Sequence, residues 1–230
     1  MQAVLAGTFF VSGDSPPGPA TTLIGRREVP ASDRMGLLNA ARFLLTGHPL
    51  RAGRQLRMWT RLRWPRAPLK LHLGCGRRRM EGFVNIDHAF NYALDYVGDI
   101  TKLPCPDHSV SRIESYHVIE HIGHQQVPAL IRDWRRMLVP GGSVVVECPD
   151  FDRDVLEYQQ GNLDRLYSVF GRQRFPGDAH FFGYNRARLE ALFEDAGYTA
   201  IVCTEGTDYH SESEPCLRLE CRTPELAGRK

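Results

Sequence analysis

Gly74-Cys75-Gly76 closes the apolar run Leu71-His72-Leu73, and Val84-Asn85-Ile86 then delivers Asp87. Glycines at the end of one strand let the main chain approach a ligand. An acid ending the next strand accepts hydrogen bonds from both ribose hydroxyls, so the pair is how a parallel α/β sheet builds a nucleoside site. Val97-Gly98-Asp99-Ile100, just before Leu103-Pro104, is a third element of the same kind. Taken singly these signals are weak: two glycines also make an ordinary strand-to-helix turn, and a lone aspartate is as often a cap.

A second group of residues could move protons. His117-Val118-Ile119-Glu120-His121 follows an apolar strand, at the carboxyl edge where open sheets place their ligands. His117 is the best placed base, because an imidazole with a pKa of about 6.5 can take a hydroxyl proton at neutral pH. The bland alternative is a ring that only packs on the ligand. His121 and His180 are the other two catalytic candidates, and His210 in Thr207-Asp208-Tyr209-His210-Ser211 is a further histidine that could approach the same place. Asp150, Asp152, Tyr158, Tyr167, Arg172, Arg174, His180 and Tyr184 lie in or beside a long stretch at the ligand edge. Such stretches commonly form an acceptor pocket and lid, and aromatics mixed with arginines suit a polar, glycosyl- or phosphate-bearing acceptor.

Elements must hold these residues. From Leu69 onward strands and helices alternate, with strands expected near 69–73, 83–87, 95–98, 112–116, 143–148, 199–204 and 216–222 and helices near 124–138, 152–170 and 185–196. Pro140-Gly141-Gly142 reads as a turn between helix and strand. The last two strands lack a helix between them and should be antiparallel neighbours. The fold expected is a Rossmann-like, seven-stranded, mostly parallel sheet with the last strand antiparallel and helices on both faces. Only 13 residues separate Gly74 from Asp87, against about 20 in the dinucleotide fingerprint, so the first crossover holds at most a turn of helix.

Ahead of the sheet, residues 1 to about 31 are rich in Gly, Pro, Ser and Thr and read as a loop, arm or flap. Ser32 or Asp33 can cap a helix running to Gly47, and a basic amphipathic segment follows to Trp64. The domains expected are an extension over 1–67 and a catalytic domain over 68–230, with 150–184 as its acceptor-side cover. Arg51, Arg54, Arg57, Arg61, Arg63 and Arg66 cluster around Trp59 and Trp64. Leu50, Leu56, Trp59 and Leu62 recur at helical spacing, which favours a helix packed on the core with its arginines in solvent.

With 230 residues, 42% of them hydrophobic and 24% charged, the composition is that of a globular chain with one core. The net charge of +2 selects no partner. Six cysteines without a C-x-x-C pair favour a reduced, cytoplasmic protein, and no run is long enough for a membrane span.

Five landmarks occur in one order: LHLGCG, GFVNID, GDITKLPCPDHSVSRIESYHVIEH, WRRMLVPGGSVVVECPD and HFFGYNRARLEALFEDAGY. Together they resemble class I S-adenosylmethionine-dependent methyltransferases of the small methyltransferase-11-like kind. The resemblance implies S-adenosylmethionine as cosubstrate. Gly74, Cys75 and Gly76 then lie beside its methionyl and ribose parts, Asp87 holds the ribose, Asp99 and the Ile100 main chain hold the adenine, and His117 lines the site. Two positions depart from the family pattern: His72 replaces an acid that often helps hold the ammonium group, and Arg78 replaces a frequent third glycine.

The leading expectation is O-methylation of a small polar acceptor (a sugar, glycolipid or secondary metabolite), with no metal, no nucleic acid and a homodimer left open. N-methylation of an amine also stays open. Ser115-Tyr116-His117-Val118 stands where methyltransferases of DNA-base amines carry Asn/Asp-Pro-Pro-Tyr/Phe, which argues against that substrate. A second reading is an RNA 2′-O-methyltransferase using the arginine-rich arm and a metal held by Glu120, His121, His117 and His180, by likeness to a Glu-x-x-Glu-His arrangement. A third is a non-catalytic binding module with a degenerate pocket, motivated by His72 and Arg78.

Overall fold

The computed structural model describes residues 31–89 and 93–226, with side chains described from Leu38 onward. Residues 1–30 of the expected arm lie outside what is described, and α1 already includes Ala31, so Ser32 and Asp33 stand inside the helix rather than at its cap. Helices α1 (Ala31–Leu45) and α2 (Pro49–Arg63) come first. Pro49 starts α2, where its missing N–H leaves no bond unmade.

The inward face of α2 differs from the expected stripe. Ala52, Gln55 and Leu62 are buried, with Met58 and Trp59 packed on the core, whereas Leu50 and Leu56 are exposed. The helical repeat is right but rotated, because a polar residue takes an inward place. The Gln55 side chain accepts from Val97 N–H (3.0 Å) and donates to Val97 C=O (2.7 Å).

Val97 belongs to the edge of a seven-stranded sheet. Its strands are β1 (Leu69–Leu73), β2 (Val84–Asp87), β3 (Tyr96–Val97), β4 (Val110–Tyr116), β5 (Leu138–Pro149), β6 (Thr199–Glu205) and β7 (Cys216–Arg222). They lie in the order β3-β2-β1-β4-β5-β7-β6. Neighbours from β3 through β5 pair in parallel, and β7 runs antiparallel to both β5 and β6. This is the expected Rossmann-like architecture. The order reverses at β1, with β2 on one side and β4 on the other, which opens a crevice at their carboxyl ends.

Helices α3 (Val127–Met137), α4 (Phe151–Gln159), α5 (Arg165–Phe170) and α6 (Arg186–Asp195) complete the chain. Val127, Leu130, Ile131, Trp134 and Met137 make one buried face of α3 and meet Leu71, Ile113, Val144 and Phe193 in the core. α3 starts three residues later than expected, with Pro128 in its first turn. Pro140-Gly141-Gly142 is not a separate turn: it lies within β5, where the register jumps from Val110↔Leu138 to Arg112↔Ser143. The single helix expected over 152–170 is broken into α4 and α5 around Gly161, whose φ of +99° no helix accommodates.

The short first crossover has no helix, and one buried side chain holds it instead. Asn85 Oδ1 accepts from Met80 N–H (2.7 Å), while its Nδ2 donates to the carbonyls of Met80 and Phe83 (3.1 Å each) and to Asp95 Oδ2 (3.1 Å).

Candidate active site

A cleft of about 1390 Å³ opens over the carboxyl ends of β1, β2 and β4. Every expected cosubstrate-binding residue lines it: Gly74, Cys75, Gly76, Asp87, Asp99, Ile100 and His117, as do His121 and His180.

Gly74 sits at φ +66°, and a Cβ there would stand 2.2 Å from Val118 Cγ2, so the first loop and the chain after β4 interlock only without a side chain. Gly76, at φ +50°, has nothing within 4 Å of the corresponding point, which leaves its surface open to the cleft. Asp87 ends β2 and binds this loop: its Oδ2 accepts from Gly76 N–H (2.8 Å) and its Oδ1 from Ala89 N–H (2.9 Å). Asp99 makes a turn of its own, with Oδ1 accepting from Thr101 N–H (2.9 Å) and Oγ1–H (2.6 Å). Burial works against its charge, but those bonds hold its carboxyl below the usual range. The Cys75 thiol is pushed up to about 12 by burial, which removes it as a nucleophile.

The two departures from the family pattern are both accommodated. His72 is buried, and its Nδ1 lies 3.0 Å from Asn85 Oδ1. Because Asn85 Oδ1 already accepts from a main-chain N–H, His72 Nδ1 must carry the proton. Burial keeps the ring neutral, so Nε2 holds a lone pair. Arg78 points away from the glycine loop: its guanidinium lies 3.4 Å from the Tyr209 ring centroid, a cation–π contact with the segment before β7.

That segment carries the group that sequence reasoning only glimpsed. Glu147, fully buried in β5, accepts from Thr207 N–H (3.1 Å), Asp208 N–H (3.0 Å) and Arg218 Nη1 (2.6 Å). The turn so fixed presents Asp208, whose Oδ2 lies 2.9 Å from His210 Nδ1 and whose Oδ1 accepts from His210 N–H (2.9 Å). His210 lines the cleft. The signal for Glu147 was present as one acid inside the apolar run Val144-Val145-Val146-Glu147-Cys148. Asp208 gave none, because its role depends on a strand some 60 residues earlier.

His117 is in the cleft, but not as a free base. It has φ +52°, a strained backbone for a non-glycine residue. Its Nδ1 faces Glu120 Oε1 at 3.2 Å, and its Nε2 faces Cys216 Sγ at 3.5 Å and Asp208 Oδ1 at 3.8 Å. Burial opposes its charge, yet hydrogen bonds to Cys216 and Glu120 raise its pKa to about 11. The reasoning from an unperturbed imidazole therefore fails: both ring nitrogens are already committed, and the ring stacks on His210 at 3.8 Å between centroids.

From the cover, Tyr167, Arg172, Arg174 and His180 reach the cleft wall. Asp150 instead caps α4 by accepting from Arg153 N–H (3.4 Å), and Tyr184 is buried in the core. Trp59 is packed against the core rather than free to stack on a base, while Trp64 is exposed.

Residues 71–146 match the family model described as a methyltransferase domain. An uncharacterized 37.1 kDa protein in transposon TN4556 of Streptomyces fradiae is 31% identical over 114 residues, which is 44% of this chain and 32% of that protein. The chain thus spans about a third of the curated relative's length. Among solved structures, a S-adenosylmethionine-dependent methyltransferase of Methanosarcina mazei aligns with a TM-score of 0.52 at 12% identity, covering 71% of this chain and 95% of that one. Another from Archaeoglobus fulgidus aligns at 0.51 and 13% identity, over 79% of this chain and 99% of that one. At such identities the likeness speaks for the fold. The matched segment carries the glycine loop, Asp87, Asp99 and the histidine turn after β4, so the part of the chain that builds this cleft is similar to a methyltransferase domain.

Proposed function

We propose that this protein transfers the methyl group of S-adenosylmethionine to a hydroxyl oxygen of a small polar acceptor in the cytoplasm, with a histidine as base. The observation that carries the reading is that one cleft is lined both by Gly76, Asp87 and Asp99 and by the hydrogen-bonded Asp208–His210 pair.

Asp87 accepts from the ribose hydroxyls, Asp99 from the adenine amine, and the neutral His72 Nε2 from the ammonium group in place of the usual acid. The acceptor oxygen attacks the methyl carbon in line with the C–S bond. The O–C bond forms, the C–S bond breaks, and its electron pair leaves with sulfur, giving neutral S-adenosylhomocysteine. The hydroxyl proton passes to His210 Nε2, whose partner nitrogen is oriented by Asp208. Tyr167, Arg172 and Arg174 suit an acceptor bearing sugar hydroxyls or an anionic group.

Calorimetry with S-adenosylhomocysteine tests the first half. The wild type should bind it, and Asp87→Ala should lose about 10- to 100-fold in affinity, the worth of charge-assisted hydrogen bonds of about 1.5–3 kcal/mol. Unchanged affinity in that variant, or no binding by folded wild type, would overturn the reading. Trp59, half-buried against the core, gives the arginine-rich helix a structural role and weakens the support for an RNA acceptor.

A further inference from the structure

Between Asp33 and Glu81 the sequence carries twelve lysines and arginines and no acid, so the net charge of +2 conceals a strongly basic segment on an acidic remainder. Most of that segment is the α1–α2 hairpin. Leu38, Arg42 and Leu45 recur at helical spacing along an exposed face of α1, and Leu50, Arg54, Arg57 and Arg61 do the same along α2. The inward face is already committed. Ala52, Gln55 and Leu62 are buried, and Asn39 Nδ2 joins Gln55 in donating to Val97 C=O (3.0 Å), which mounts the hairpin on the sheet edge.

The tip of the hairpin is where the apolar exposure peaks. Leu45 and Leu50 are 88% and 89% exposed, the highest values for large apolar side chains among the described residues, and Leu44 is 58% exposed. The turn between them is closed rather than slack. Gly47, at φ +75°, lets His48 N–H donate to Phe43 C=O (2.8 Å) and its own N–H donate to Leu44 C=O (3.1 Å), and Pro49 begins α2 directly afterwards. Leucines held outward by such a turn stay in water unless another phase receives them.

We infer that this tip inserts into the surface of an anionic lipid bilayer, with Leu44, Leu45 and Leu50 among the acyl chains and Arg42, Arg54 and Arg57 at the phosphates. Charge decides the occupant: arginines flanking an apolar wedge match the negative face of a membrane, and their long stems reach its headgroups. A second copy of the chain would bring arginine against arginine. Nucleic acid would satisfy the arginines but leave three aliphatic side chains in water, since bases stack on aromatic rings. The inference stands apart from the methyl-transfer reading and uses no residue of the cleft.

The probe is flotation of the full chain with vesicles of phosphatidylcholine, alone or mixed with phosphatidylglycerol, at low and high salt. Binding is expected to the mixed vesicles at low salt, with little to phosphatidylcholine alone. It should weaken about ten-fold or more in Leu45→Ser/Leu50→Ser, and likewise in Arg42→Gln/Arg54→Gln. Melting temperature and S-adenosylhomocysteine affinity should match wild type in both variants, because the four positions are exposed and outside the cleft. Failure of the folded wild type to float with mixed vesicles would overturn the inference, as would binding that survives the leucine changes. So would tighter binding to a single-stranded RNA oligonucleotide that depends on the arginines but not on the leucines.

Discussion

A proton leaving a hydroxyl needs a lone pair to receive it, and the surroundings of each histidine decide which ring has one to spare. His117 has both nitrogens engaged, by Glu120 on one side and Cys216 on the other. His210 has only Nδ1 engaged, by Asp208. His210→Ala and Asp208→Asn should therefore lower kcat by about 10²–10⁴-fold and by a smaller factor respectively, the range expected for a positioned base. S-adenosylhomocysteine affinity should be unchanged in both, and a variant that loses cosubstrate binding instead would show that the pair shapes the pocket rather than moving the proton. That His117 stands at the site was legible from its place after an apolar strand. Its chemical state was not, because Cys216 lies 99 residues away in sequence and reaches it only through the antiparallel pairing of β7.

The α4–α5 cover depends on a buried acid. Asp154 Oδ2 accepts from Ser168 Oγ–H (2.6 Å), tying one helix to the other, and burial raises its pKa to about 7. In the unfolded chain an aspartate titrates near 3.9. Between these values the folded state binds the extra proton, so the contribution of Asp154 to stability is greatest at low pH and falls as pH rises from about 4 to about 7. Amide hydrogen exchange in residues 151–170, corrected for intrinsic rates, should thus show weaker protection at pH 8 than at pH 5. In Asp154→Asn the two pH values should converge; a slope that persists would assign it to another group. The break between α4 and α5 escaped the sequence reading because Leu156, Leu163 and Leu166 continue an apolar repeat across it, although all three are exposed. Strand positions were easier to read: β1, β6 and β7 follow apolar runs bounded by turn residues, and only a core covered on both faces buries all of β2.

Over the whole molecule, α2 and the sheet share one core. Leu62 of α2 is fully buried with Leu69 and Leu71 of β1 in the same cluster, and Gln55 completes the hydrogen bonding of the edge strand. Gln55→Ala should cost about 1–3 kcal/mol by leaving the Val97 N–H unsatisfied, while the Val97 carbonyl keeps the Asn39 side chain as its donor. That corresponds to a Tm lower by several degrees in a scanning-fluorimetry melt. The melt of Arg57→Ser, at an exposed position two residues further along α2, should match wild type. The alternation of strands and helices made the sheet legible, whereas nothing local to Val97 announced that its outer partner would be a glutamine 42 residues earlier. For anyone trimming this chain to a minimal catalytic unit, a cut at residue 68 is a poor choice. It would strip the glutamine clamp from β3 and bare a raw peptide rim, and such rims recruit one another into insoluble polymers.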